Sequence, residues 1–429
     1  MGLRARAATV STVSTYIKLS RTLRSREASV VMAMGFMAAS ASLFAVLTSR
    51  WLGPADRGVV VVTATTGSLL MLLGSLGVST GGRVLLARTP ALPLSRYLSV
   101  VGRLASVHIA TASVVGLGVL WVTNSLNDPV IGLLFVPYAV LMLLTYLLRE
   151  CLHGLGRHTT AVRGDIATTS VQTILVLCSA PFGLVSLRFV LGAMLAGQAV
   201  QVLLLLRSVG RERRAQLALN QRGFKDVPTT AVIRFSLSAV PVLFGQAFVI
   251  RGDRLLLGAM SSPAAVGIYG AAATFTELLW LISSGVSQIA FKRSTQTGSS
   301  LTSARHRRYA LALTAGGCVT LAVVAPFLIP LLLGESFNDS VPLVWVLSVA
   351  ALPMASYQID VAVLNGLGHM RRAAVITAAG SGTLGGLCLL LIPRVGASGA
   401  AYASLAAYSV LALLARAEVR RRNADLSGS

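Results

Sequence analysis

Charged side chains are scarce in this sequence of 429 residues. Asp, Glu, Lys and Arg together make up 12% of the chain, whereas hydrophobic residues make up 55% and the mean hydropathy is +0.76. A soluble domain carries about 25% charged residues. The chain lacks the polar surface that a water-soluble protein of this size needs, so a soluble globular fold is excluded.

Acidic residues are scarcer still. Only 14 Asp and Glu stand against 37 Lys and Arg, which gives a formal net charge of +23. In a soluble chain this balance would suggest a nucleic-acid partner, but almost the whole excess falls in alternate loops and at the two termini. Because positive loops stay cytoplasmic, the charge predicts cytoplasmic N- and C-termini and contact with anionic lipid headgroups. We expect no nucleic-acid binding.

Long uncharged runs replace the missing charge. A helix of about 20 apolar residues crosses a bilayer and pairs its backbone groups within its own segment. We therefore predict an all-α polytopic membrane protein with about twelve transmembrane helices. The predicted spans run near 28–49, 58–80, 97–123, 129–148, 166–185, 187–206, 231–250, 263–290, 309–333, 341–364, 373–392 and 397–415.

These spans divide the chain into two halves. We predict a basic cytoplasmic tail at 1–27, a six-helix bundle at 28–207, a basic cytoplasmic linker at 208–230, a second six-helix bundle at 231–415 and a cytoplasmic tail at 416–429. The loops between spans are short. We also expect no enzymatic activity, because the predicted external loops have no room for a catalytic domain.

Four short motifs recur about half the chain length later, in the same order. The pairs are Leu152–Gly156 with Leu364–Gly368, Pro181 and Ser186 with Pro393 and Ser398, Pro54 and Gly58 with Pro263 and Gly267, and Gly77–Ser79 with Gly285–Ser287. The repeat indicates a duplicated unit of six spans, which is a common architecture of transporters. Since six is even, the two bundles are related by a pseudo-two-fold axis along the membrane normal.

Metal and nucleotide chemistry has no visible signature. The four cysteines and five histidines are scattered, without metal-ligand spacing. No Gly-rich loop for binding ATP phosphates is present. We expect neither metal nor cofactor, and the energy for transport should come from an ion gradient or from the substrate.

The motifs in their order resemble the polysaccharide-unit flippases of the multidrug/oligosaccharidyl-lipid/polysaccharide exporter superfamily. The resemblance covers most of the chain and rests on Leu52-Gly53-Pro54 with Gly58, Asp253–Gly258, Pro263 with Gly267-Ile268-Tyr269, Asn365–Gly368, and Leu391-Ile392-Pro393 with Gly396 and Gly399-Ala400-Ala401. It implies a V of two bundles around a central cavity and alternating access for a polyprenyl-pyrophosphate-linked glycan in a bacterial cytoplasmic membrane. Membrane lipids and a glycan polymerase or assembly machinery are the further partners expected.

Charged groups within the spans are the candidate site residues, because a charge at mid-membrane costs about 2.5–3.5 kcal/mol. Glu277 shares a helical face with Ser284 and Gln288; it either faces a cavity or pairs with an arginine. Arg251 and Arg254, near the external end of span 7, could grip a pyrophosphate or pair locally with Asp253.

Two further charges lie nearer the cytoplasmic side. Arg103 either snorkels to the headgroups or receives the lipid pyrophosphate. Asp360 is a proton or Na⁺ site, or forms the helix-end ion pair with Arg371 or Arg372 that we favour. The candidate substrate-binding residues are Arg103, Arg251, Arg254, Glu277, Ser284 and Gln288, and the candidate ion-coupling residues are Asp253, Glu277 and Asp360.

Three other functions compete with the flippase. A cation-coupled exporter of drugs or small organic cations would use acidic cavity residues, namely Glu277 and Asp360. A membrane-embedded glycan polymerase or ligase would need a catalytic group on a sizeable external loop. A membrane scaffold without transport would pair its intramembrane charges with each other and have no cavity.

Overall fold

A computed structural model of the chain describes residues 2–87, 93–218, 229–237, 239–297 and 303–427, and every regular element in these ranges is helical. The α-helices are α1 (Gly2–Gly74), α2 (Val78–Ala87), α3 (Leu94–Thr111), α4 (Leu117–Val122), α5 (Pro129–Gly154), α6 (His158–Ser179), α7 (Leu187–Ala218), α8 (Thr229–Leu237), α9 (Val240–Met260), α10 (Pro263–Glu277), α11 (Trp280–Thr297), α12 (Ser303–Leu333), α13 (Ser340–Gly366) and α14 (Met370–Ser427). The predicted all-α class is confirmed.

Within the described residues, eight helices are long and apolar enough to cross a membrane, which makes the chain a multi-pass membrane protein. They are Gly35–Gly74, Leu94–Val122, Pro129–Gly154, His158–Phe182, Leu187–Leu217, Arg307–Leu333, Ser340–Gly366 and Met370–Arg422. The first is broken at Gly53 and the last at Val395 and Gly396. The predicted spans 231–250 and 263–290 correspond to the shorter helices α8–α11. The count of twelve stays a prediction.

The predicted domain bounds fall within continuous helices where the chain is described. The N-terminal tail is part of α1, and α7 extends to Ala218, well into the predicted linker. The linker residues 219–228 and the final tail residues 428–429 lie outside the described residues.

Glycines turn the chain at matching places in its two halves. Gly156 and Gly368 both have positive φ angles, of 74° and 83°, and Gly183 and Gly396 likewise, of 65° and 59°. Glycine adopts this region without the steric cost that a Cβ brings. The chain therefore turns tightly at the repeated Gly-Leu-Gly motifs and between the last two predicted spans of each half. The Gly77 motif departs from the pattern, because its partner Gly285 lies inside α11.

The break in α1 depends on Gly53. Its φ of 75° and ψ of 176° lie in a region that is essentially restricted to glycine, and Pro54 then begins the second part of the helix. We expect Gly53→Ala to lower the free energy of unfolding by about 1–3 kcal/mol. Thermal unfolding of the purified protein in detergent measures this change.

Gly35 is the matched control for this substitution, since it lies in the same helix and nothing would crowd an added Cβ there. Gly35→Ala should preserve or raise the melting temperature, because alanine is favoured in a helix by about 1 kcal/mol. Equal melting temperatures for the two variants would contradict the role assigned to Gly53.

The first and second halves of the chain meet at a crossing of α1 with α10. A Cβ added to Gly58 would overlap the carbonyl oxygen of Pro263, and one added to Gly267 would overlap that of Pro54. The two contacts are reciprocal, and their four residues are the repeated Pro and Gly pair of the sequence. Absence of side chains lets the two backbones touch.

A second approach of the halves lies further along the chain. A Cβ added to Gly77 would overlap the carbonyl oxygen of Ser236 on α8, and one added to Gly81 would overlap the hydroxyl of the same residue. Within each half the packing is helix on helix: α5 and α6 pack against α7, and α13 packs against α11, α12 and α14. The part of α1 that follows Gly58 contributes residues to the lining of a cavity.

Candidate functional site

Helix α9 lies at the centre of the candidate site. Three cavities adjoin it, and Ile250 lines all of them. The neighbours of Ile250 in α9 line different cavities. Gln246 and Val249 line one of them, and Ala247 and Arg251 line another. One short stretch of a single helix therefore contributes to all three of these cavities.

The largest cavity has a volume of about 590 Å³ and is called the basic cavity here. Residues of α1, α5, α6, α7 and α9 line it: Met37, Ser68, Met71, Leu72, Met142, Thr145, Tyr146, Arg149, Asp165, Thr168, Thr169, Gln198, Gln201, Ala247, Ile250 and Arg251. Among the described residues of this lining, two guanidinium groups and one carboxylate are charged, so the described lining carries a net positive charge.

The carboxylate of the basic cavity is already engaged. Asp165 Oδ1 accepts a hydrogen bond of 2.6 Å from Gln201 Nε2 and lies 3.4 Å from Arg149 Nη1. Thr168 in turn donates to Gln201 Oε1 at 2.5 Å. Because Asp165 is held by these groups, it is poorly placed to attract a cation from solution.

Arg251 has a weaker tie. Its Nη1 donates to Ser68 Oγ at 3.3 Å, and Ser68 also donates to the Thr65 carbonyl oxygen at 2.8 Å. A guanidinium has five N–H donors, and Ser68 occupies one of them. Arg251 therefore offers an anion a charged, multivalent partner inside the cavity.

The second cavity has a volume of about 490 Å³ and is called the neutral cavity here. Residues of α9, α11 and α13 line it: Gln246, Val249, Ile250, Ser284, Ser287, Gln288, Phe291, Met354, Tyr357, Gln358, Val361, Ala362 and Asn365. Each of these described residues is uncharged, and six carry a carboxamide or an aliphatic hydroxyl.

The third cavity has a volume of only about 10 Å³, and a cluster of charged side chains lines it. Arg254 forms an ion pair with Glu277. Asp253, which is 2% exposed, accepts hydrogen bonds from the hydroxyls of Tyr269 and Ser404 and from the Arg254 backbone N–H. The cluster joins α9, α10 and α14.

Comparison with solved structures identifies the fold. An inward-facing multidrug resistance MATE family transporter of the MOP superfamily matches with a TM-score of 0.71 at 13% identity, over 92% of this chain and 96% of that chain. The lipid II flippase MurJ in an inward closed conformation matches with a TM-score of 0.73 at 11% identity, over 91% and 87%. The chain has the MOP-superfamily fold.

A third MOP structure, from Pyrococcus furiosus Vc1, has a reversed pocket polarity that is taken to suggest a different function. It matches with a TM-score of 0.55 at 13% identity, over 93% of this chain and 96% of that chain. No family model and no curated protein matches the sequence. The resemblance to this superfamily inferred from the motifs is thus supported by the fold.

The MOP fold separates several predicted site residues. Arg251 lines the basic cavity, whereas Arg254 lies beside the small third cavity with Glu277. Neither arginine lies at the end of its helix, because α9 continues to Met260. Their position near the external side of the membrane stays a prediction. For Glu277 the structure shows the other alternative, an ion pair with an arginine, which is Arg254.

The predicted polar face of span 8 is interrupted. Helix α10 ends at Glu277 and α11 begins at Trp280. Glu277 therefore does not share one continuous helical face with Ser284 and Gln288. Those two side chains line the neutral cavity instead. The expectation of one continuous stripe was wrong because the helix is broken after Glu277.

Two other predicted residues lie apart from the cavities. Arg103 is exposed on α3 and lines none of the three cavities described. Asp360 is fully buried, with Arg416 at 3.6 Å and Arg307 at 3.8 Å. The favoured pairing of Asp360 with Arg371 or Arg372 was wrong; Arg372 lies beyond the turn and faces Glu418 at 3.9 Å.

Sequence reasoning missed Arg149 and Asp165, because both were counted as charges of a cytoplasmic loop. Arg149 follows Met142 by seven residues, Thr145 by four and Tyr146 by three, and all four line the basic cavity. That helical spacing is the signal that places Arg149 on the inner face of α5.

Proposed function

We propose that the chain is a flippase that moves a polyprenyl-pyrophosphate-linked oligosaccharide from the cytoplasmic to the external leaflet, in the biosynthesis of a surface polysaccharide. The observation that carries the proposal is the pair of arginines, Arg149 and Arg251, in the basic cavity. A pyrophosphate is too polar to cross lipid alone, and guanidinium groups bind phosphate oxygens with paired, charge-assisted hydrogen bonds. The prenyl tail stays in the bilayer throughout.

Alternating access would require the two crossings of the halves to open in turn. The Gly58–Gly267 crossing and the Gly77–Ser236 approach lie on either side of the α1 stretch that lines the basic cavity. The reciprocal glycine contacts and the matching glycine turns support twelve spans in two bundles, related by a pseudo-two-fold axis along the membrane normal. The protein would lie in a bacterial cytoplasmic membrane with both termini inside, where a glycan polymerase or assembly machinery receives its product.

The cluster of Asp253, Arg254 and Glu277 is the proposed place for ion coupling. It adjoins both larger cavities through Ile250, so a change in its protonation or pairing would be felt by a bound substrate. Asp360 is proposed to hold helices together rather than to couple an ion, because two arginines already face it.

The second candidate is a cation-coupled multidrug exporter, since several structures of this fold are MATE transporters. Such a pump would be expected to offer an acidic group to an organic cation. Asp165 is tied to Arg149 and Gln201, and Asp253 and Glu277 each have partners of their own. The positive lining of the basic cavity favours an anionic substrate over a cationic one.

The test is transport in proteoliposomes that contain a polyprenyl-pyrophosphate-linked oligosaccharide. Arg251→Ala and Arg149→Ala should each slow transfer between leaflets by about 10–100-fold, because a hydrogen bond to a charged group contributes about 1.5–3 kcal/mol. Arg251→Lys should retain part of the rate. Arg103→Ala is the matched control and should leave the rate unchanged, since Arg103 lines none of the described cavities.

Two results would contradict this proposal, the first by removing the flippase and the second by removing the role of the basic cavity. One is a wild-type protein that transfers no lipid-linked oligosaccharide but extrudes a cationic dye. The other is transfer that is as slow in Arg103→Ala as in Arg251→Ala, which would remove the basic cavity from the mechanism.

A further inference from the structure

The neutral cavity differs in chemistry from the basic cavity beside it. Besides the phenol of Tyr357, its polar lining has four carboxamides and two aliphatic hydroxyls, those of Gln246, Gln288, Gln358, Asn365, Ser284 and Ser287. An amide offers both hydrogen-bond donors and an acceptor, and a hydroxyl offers one donor and two acceptor sites. Such a lining complements a ligand that is rich in hydroxyl and amide groups.

A charged ligand group would fit this cavity poorly. An ion removed from water into a site without a counter-charge suffers a large desolvation cost, and each described residue that lines the neutral cavity is uncharged. The nearby charges Arg251 and Arg254 line other cavities. The lining therefore selects against carboxylates as well as against ammonium groups.

One amide of the cavity is held in a fixed orientation. Gln358 Oε1 accepts a hydrogen bond of 2.6 Å from Ser283 Oγ, and Ser284 Oγ lies 3.5 Å from the same oxygen. Since its oxygen is occupied, Gln358 can offer its NH₂ group to an acceptor in the cavity. A site that has its donor oriented before the ligand arrives binds with less ordering cost.

The cavity also has an aromatic surface and a suitable size. Phe291 lines it and is 43% exposed, so its ring can pack against the apolar C–H face of a sugar. Ligand cavities range over about 300–1,000 Å³, and the neutral cavity has about 490 Å³. It can hold a compact glycan portion of a larger substrate.

Ile250 lines both cavities, and Arg251, its neighbour in α9, lines the basic cavity. A ligand that places its pyrophosphate at Arg251 can extend past Ile250 into the neutral cavity. We propose that the neutral cavity is the glycan subsite and that it takes an uncharged, hydroxyl- and acetamido-rich oligosaccharide, not one with uronic acids or other acidic sugars. This inference rests on the proposed flippase function.

The experiment compares two synthetic substrates in proteoliposomes. Both are polyprenyl-pyrophosphate-linked trisaccharides; one is neutral, and the other has a single hexose replaced by a hexuronic acid. The wild-type protein should transfer the neutral substrate at least about tenfold faster, as an extra 1.4 kcal/mol against the charged group would give. Gln288→Arg should narrow or invert this ratio, because it places a cation in the neutral cavity.

Control variants separate this inference from the flippase proposal itself. Arg251→Ala should slow both substrates by the same factor, since both carry the pyrophosphate. Gln288→Leu should slow both without favouring the acidic one, and its melting temperature should match that of the wild type, which shows that the protein is folded.

The outcomes are distinct. Equal wild-type rates for the two substrates, or a ratio that Gln288→Arg leaves unchanged, would overturn the glycan subsite while the flippase stands. Failure to transfer either substrate would overturn both proposals.

Discussion

Replacing Gly58 or Gly267 with valine is expected to separate the two halves of the molecule. At each position even the first side-chain carbon would overlap a backbone carbonyl oxygen, of Pro263 or of Pro54. A rotamer change cannot relieve a clash with backbone, so α1 and α10 must move apart. Overpacking a well-packed core costs about 1–3 kcal/mol, and we expect a loss of at least about 3 kcal/mol here, because the obstacle is rigid.

Thermal unfolding in detergent and the yield of monodisperse protein measure this effect. Gly316→Val is the control, because Gly316 is helical like the other two but has nothing within 4 Å of an added Cβ. A Gly58→Val protein with the melting temperature of the Gly316→Val protein would show that the two backbones are not in contact.

The second large effect is expected from Arg254→Ala. Only 12% of the Arg254 side chain is exposed, and it pairs with Glu277, which is 30% exposed. Asp253, beside it, is almost fully buried. Removing one partner of a buried pair leaves uncompensated charge and costs about 3–5 kcal/mol. We therefore expect Arg254→Ala to be strongly destabilised, as measured by chemical or thermal unfolding.

A double substitution distinguishes the pair from the rest of the cluster. Arg254→Met together with Glu277→Met removes both charges and keeps the packing volume, so it should recover most of the stability lost in Arg254→Ala. If its stability equals that of Arg254→Ala, the partner that matters is Asp253 instead. Loss of transport in a stable double variant would support a role of the cluster in ion coupling.

The sequence identified the crossing residues but not their role. Pro54, Gly58, Pro263 and Gly267 stand out as a repeat, yet nothing in the repeat says that the two copies touch each other. Contact between copies depends on how the halves dock, which is a property of the assembled fold. The turns at Gly156 and Gly368 are easier to recognise from the sequence, because a positive φ angle is a local requirement that glycine meets.

The burial and the partners of the charged residues cannot be predicted from their spacing in the sequence. Arg251, Asp253 and Arg254 look like a loop because three charges fall within four residues. Their burial is made possible by Tyr269, Ser404 and Glu277, which are distant in sequence and supply hydrogen bonds and charge. Asp360 was paired with its nearest arginines in sequence, whereas the arginines nearest in space lie on α12 and α14.

Asp360 also sets a condition on how the chain is assembled in the membrane. It is a fully buried carboxylate on α13, and its two cations lie on the helix made before it and on the helix made after it. A carboxylate within a span is costly to insert without a partner. Helix α13 is therefore stabilised first by Arg307, as it enters beside α12, and fully only when Arg416 arrives with α14. We therefore expect a chain that stops after α13 to be less stable in the membrane, because Asp360 then lacks Arg416, one of its two cations.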